Sequence, residues 1–98
     1  MGYNEPTFQS CEAVTGATAE TVELNIKSYL RIDNDIGDTV YIRLNWAAGD
    51  TEVSATNFAV AIRPYESFEF KHEHPTSPAL FNMRVICATS GRLGLLGW

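Results

Sequence analysis

Ninety-eight residues, 45% of them apolar, carry twelve acidic and seven basic side chains for a net charge of −5, which describes one small domain with enough greasy surface for a single core. The basic side chains are scattered, which argues against a phosphate-binding face and so against nucleic acid as a partner. No apolar run approaches the ~20 residues that span a bilayer, so no membrane partner is expected.

Residues 1–19 are poor in large apolar side chains and are interrupted by Pro6 and Gly16. They read either as a frayed terminus or as an extended arm that leaves the domain and lies on a neighbouring subunit, with Tyr3, Phe8 and Val14 as anchors and room for a short strand around Cys11 to Val14. The chain shows no charged-then-apolar leader, so synthesis in a cytoplasm is expected. Cys11 and Cys87 have no Cys-x-x-Cys spacing. Without an export signal a disulfide is not expected, and Cys87 reads as a small buried hydrophobe.

From Val22 the even positions Val22, Leu24, Ile26, Leu30 and Ile32 are apolar and the odd positions polar. Such alternation marks a half-buried strand. The run is longer than an ordinary strand, so a bend or bulge near Lys27-Ser28 should split it between two sheets. A helix over 20–29 is the rival, with Leu24 then off the apolar stripe. The stretch 29–46 reads as two strands joined by a tight turn at Asn34-Asp35-Ile36-Gly37. Leu30 and Ile32 face inward on one arm, and Val40, Ile42, Leu44 and Trp46 on the other.

A loop follows over 47–57, with a possible short strand at 51–54. Phe58, Val60 and Ile62 alternate as the next strand, Pro64-Tyr65-Glu66 turns the chain, and Phe68 and Phe70 face inward after it. Pro75 and Pro78 stop any ladder within 71–82. The segment 83–89 is apolar on both faces, as a central strand would be. Ser90-Gly91-Arg92 turns, and 93–98 closes the chain as a last strand. Strands at this spacing predict an all-β fold: a single small antiparallel β-sandwich or barrel, jelly-roll or Ig-like, of six to eight strands over 20–98.

Candidate chemistry is sparse. His72 and His74 flank Glu73 near Glu69 and would point the same way on a strand, but no third metal ligand accompanies them. Asp33, Asp35 and Asp38 gather around a turn in a spacing unlike a calcium loop, and read as turn-formers. Ser10, Ser67 and Ser90 have no adjacent base. The expectation is a non-enzyme with no cofactor. Aromatic side chains carry the candidate surface instead: Tyr3, Phe8, Tyr29, Tyr41, Tyr65 and Trp98. An interface with another subunit is preferred for them, and a sugar-binding face is the alternative.

Three stretches resemble small β-sandwich structural proteins of tailed bacteriophage virions: N-D-I-G-D-T-V-Y-I-R over 34–43, I-R-P-Y-E-S-F over 62–68, and S-G-R-L-G-L-L-G-W over 90–98. The resemblance covers roughly residues 22–98 and implies a final hairpin around a small-residue turn. It further implies a virion component, a decoration, head–tail or tail accessory protein, that works by assembling with itself and with capsid or tail subunits. Tyr65 stands where such proteins often have Gly, so its turn is expected to be type I rather than type II.

Overall fold

The computed structural model describes residues 8–71 and 80–98 and folds them entirely into strands and connections, with no helix. In chain order the strands are β1 (Phe8–Val14), β2 (Glu20–Ile26), β3 (Tyr29–Asn34), β4 (Val40–Leu44), β5 (Val60–Ile62), β6 (Ser67–Lys71), β7 (Leu80–Cys87) and β8 (Gly91–Gly97). They form two four-stranded sheets, ordered β1-β8-β3-β6 and β2-β7-β4-β5, in which every pairing is antiparallel. Among these strands only β4 and β5 are both consecutive and paired, so every other connection crosses between the sheets. That order is a jelly roll, which decides between the jelly-roll and Ig-like alternatives.

The core is the set of inward rows from both sheets. Ile26, Leu30, Ile32, Val40, Ile42, Met83, Val85 and Leu93 are all fully buried. The expected split of the long alternating run is present: β2 stops at Ile26, β3 starts at Tyr29, and the two lie in different sheets. The Trp98 carbonyl accepts the backbone N–H of both Lys27 and Ser28 at 2.9 Å, satisfying donors that the corner takes out of the ladders. The rival helix does not form, and Leu24, which it would have left off its stripe, is buried. As expected of a central strand, β7 lies between β2 and β4, and its Cys87 is buried.

Several expectations are corrected. The stretch 29–46 is not a hairpin: β3 and β4 belong to opposite sheets, and 35–39 carries the chain across. Alternation cannot tell these cases apart, because inward rows from facing sheets meet the same core. Five residues reach ~17 Å, more than the ~10 Å between packed sheets. The closing stretch is likewise a crossover from β7 to β8 rather than a hairpin. Trp46 does not face the core. Asn45 takes a left-handed φ of 52°, which breaks the alternation, and Trp46 turns to the outer face. Phe58 lies outside β5 and is 42% exposed. No strand forms at 51–54; Ser54 makes an isolated bridge with Asn57.

Tyr65 also departs from expectation. Its φ is +60°, and the Glu66 N–H donates to the Arg63 carbonyl at 3.1 Å, so Pro64-Tyr65 forms a type II turn despite the side chain. At the other end of the chain, Phe8–Val14 pairs with β8 along its whole length, so the sandwich takes in part of the segment read as an arm. Ser10 and Glu12 share the inward parity of buried Val14, and the Ser10 hydroxyl donates to Glu12. An inward charge on an edge strand discourages edge-to-edge pairing.

Two glycines leave room for close neighbours that a side chain would displace. A Cβ at Gly91 would come within 2.5 Å of Ile36 Cγ1, and one at Gly97 within 2.5 Å of both Ile26 Cδ1 and the Tyr29 carbonyl oxygen. At Gly94, on the outer face, it would meet Asp33 at an ordinary 3.6 Å. Thermal unfolding should separate them. Gly97→Ala is expected to lose about 2 kcal/mol, or roughly 10 °C in Tm, while Gly94→Ala changes little.

Candidate interaction surfaces

The outer face of the β1-β8-β3-β6 sheet is built by the odd positions of β3 and the even positions of β8. Register sets Arg31 beside Leu96 and Asp33 beside Gly94, and Trp98 follows on beside Tyr29. The Tyr29 and Trp98 rings meet at 5.5 Å with a 56° tilt. Behind them β6 supplies Glu69, which accepts from the Tyr29 hydroxyl, and Ser67, which donates to Asp33. The hydrogen bond to Glu69, then burial and the Glu69 charge, raise the Tyr29 hydroxyl above the usual tyrosine range. Arg31 Nε donates to Asp33 Oδ1 at 2.9 Å. Ser28, Tyr29, Arg31, Leu96 and Trp98 enclose a shallow trough of about 530 Å³.

The outer face of the other sheet is covered by the chain itself. The long connection 45–59 folds back over it and is clamped by Arg84. The guanidinium lies 4.5 Å from the centre of the Trp46 ring, grips Glu52 through Nε at 2.9 Å and Nη2 at 2.8 Å, and donates from Nη1 to the Thr21 hydroxyl. Two-pronged guanidinium–carboxylate pairing fixes direction as well as distance. Asn57 ties the same connection to Arg43 and to the Thr51 and Glu52 carbonyls. Val53, only 1% exposed, is buried beneath it, outside the main core. Phe58 packs on Tyr41 with ring centres 5.2 Å apart. A small apolar cleft of about 260 Å³ remains between Tyr41, Ile86, Ala55 and Ala17.

A third surface is the end of the sandwich where the crossovers meet. Asn34 joins 35–39 to 62–66, the Asp35 N–H donates to the Arg92 carbonyl, the Thr89 hydroxyl to Asp38, and the Gly16 N–H to the Ser90 hydroxyl. Tyr65 stands at this end, 74% exposed, with its hydroxyl close to Gly37.

The sequence-derived candidates therefore fall in different places. Tyr29 and Trp98 come together, Tyr41 joins Phe58 on the opposite face, and Tyr65 is at the crossover end. Tyr3, His72 and His74 lie outside the described residues, and Phe8 is described by its backbone alone. Asp33 and Asp38 serve different partners, and no three metal-binding side chains gather among the described residues. Alternation did not single out the Arg84–Trp46–Glu52 clamp, because its members lie far apart in sequence and Trp46 reads as a core residue. No family model matches the chain, and no curated protein or solved structure matches it.

The clamp has a pH signature. The hydrogen bond from Arg84 holds Glu52 below its ordinary value of 4.5, so its contribution is present above that value and is lost as pH falls through the lowered pKa. The protection of amides over 45–59, with exchange corrected for its intrinsic pH dependence, should fall below pH 4.5 and with added salt. In Glu52→Gln it should already be low at neutral pH, with no further acid response from this residue.

Proposed function

We propose that the protein is a non-catalytic structural component of a tailed bacteriophage virion. It assembles as a homo-oligomer on the head, the head–tail junction or the tail, and seats against capsid or tail subunits through its crossover end and N-terminal arm. It is made in the host cytoplasm and finishes in the virion.

The observation that carries this assignment is Tyr65. A tyrosine in the left-handed region costs about 1–2 kcal/mol that glycine would avoid. At 74% exposure its ring returns little of that through burial. Backbone strain clusters at functional sites and aromatics are favoured at interfaces, which supports reading Tyr65 as a contact residue. Further support comes from where the phage-like stretches lie. The three are far apart in sequence, yet Asn34 of the first donates to the Ile62 and Arg63 carbonyls of the second, and the Asp35 N–H donates to the Arg92 carbonyl of the third. The shared pattern thus follows the joinery of a jelly roll, an architecture viral capsid subunits use among other proteins.

Tyr65→Gly separates contact from folding. It should keep or slightly raise the Tm, because the strain disappears. It should also weaken self-association in sedimentation velocity, or co-sedimentation with virions, by at least about tenfold. A Tyr65→Gly protein that assembles and attaches like the parent would overturn the assignment.

A further inference from the structure

The trough on the outer face of the β1-β8-β3-β6 sheet has its own chemistry. It is lined by Ser28, Tyr29, Arg31, Leu96 and Trp98, and the same sheet face continues past its end to the neighbouring pair Asp33 and Gly94. From Gly94 to Trp98 this face runs ~13 Å. One end is aromatic, with the Tyr29 and Trp98 ring planes inclined at 56° to each other. The other end is polar and already ordered. Asp33 Oδ1 is engaged by both Arg31 and Ser67. Oδ2 lies over Gly94, 3.7 Å from where a side chain on that residue would begin. A glycine there leaves a gap with a carboxylate oxygen facing into it, and the neighbouring guanidinium adds a donor.

We propose that this trough binds a short stretch of neutral, hexose-based glycan. The C–H face of one sugar ring lies on Trp98 with Tyr29 at its edge, and neighbouring hydroxyls of the next, at the adjoining polar pair, bond to Asp33 Oδ2 and Arg31. The chemistry selects this ligand class. A sugar ring is the common ligand that presents a flat apolar face and paired hydroxyl donors and acceptors together. An acyl chain would offer no partner to the polar groups at Asp33 and Arg31, and an anion would face the carboxylates of Asp33 and Glu69. The polar groups are held by sheet neighbours rather than by loops, so little ordering is needed on binding. The site does not depend on the assembly role. Tyr29 and Asn34 mark opposite ends of β3, ~17 Å apart by strand rise, so the aromatic end of the trough is far enough from Tyr65 for each to be altered alone.

A ¹H–¹⁵N NMR titration with maltohexaose, cellohexaose and laminarihexaose tests the site. With at least one of them, shifts should appear at Tyr29, Arg31, Asp33, Leu96 and Trp98, and saturate below ~10 mM. Asp33→Asn and Trp98→Ala should each weaken that binding by about tenfold or more, with Asp33→Asn still folded by its own spectrum. Tyr65→Gly should bind normally, so loss of assembly and loss of sugar binding can be told apart. The proposal fails if no hexasaccharide shifts these residues at ~10 mM, or if the shifts fall elsewhere. It also fails if the same residues broaden with protein concentration alone, which would assign the face to contact between copies.

Discussion

A single buried carboxamide holds the two sheets together at one end. Asn34 is 1% exposed and is the only buried polar side chain among the described residues. Its Nδ2 donates at 3.0 Å to the carbonyls of Asp38, Ile62 and Arg63, and its Oδ1 accepts the Ile36 N–H at 2.8 Å. Its own N–H donates to the Glu66 carbonyl. A jelly roll needs such a device. Each time the chain crosses between sheets, backbone groups leave the ladders and must find new partners or bear the cost of burial. One amide here satisfies carbonyls on two different crossovers and fixes the turn that carries Tyr65. Among the described residues no buried side-chain nitrogen or oxygen lacks a partner.

Around that latch the surfaces divide. The β2-β7-β4-β5 sheet is covered by its own connection, held down by Arg84, Glu52 and Trp46. The opposite sheet carries an aromatic pair beside ordered polar groups, and the crossover end carries a strained, exposed tyrosine. On the reading proposed above, an assembly contact at the crossover end and a saccharide face on the sheet would let a seated subunit still present a binding face.

Much of this fold was legible in the residues, and the failures share one cause. Strict alternation located the buried rows of β2, β3 and β4 because period-two burial is a local property. The bend at Lys27-Ser28 was legible because a run that long outgrows an ordinary strand. Which sheet each strand joins was not legible. The turns read at 34–37 and 90–92 fall at the crossovers 35–39 and 88–90, whose role depends on partners such as Ile62 and Arg92 that lie far along the chain. Trp46 was misplaced, and the turn at Tyr65 given the wrong type, by single left-handed residues, Asn45 and Tyr65 itself. Tyr29 was named as a surface aromatic, but its pairing with Trp98 needed the β3–β8 register.

The claim that the Asn34 amide donors secure the crossovers is open to one direct measurement: urea unfolding of Asn34→Asp beside the parent protein. The two side chains have nearly the same shape, but the carboxylate turns the donors facing Asp38, Ile62 and Arg63 into an acceptor and buries a charge. The expected loss at pH 7 is about 3 kcal/mol or more. Because burial among carbonyls raises the pKa of the new carboxyl, that deficit should shrink as pH falls and the group takes up a proton. An Asn34→Asp protein within about 0.5 kcal/mol of the parent at pH 7, with no recovery on acidification, would contradict the account.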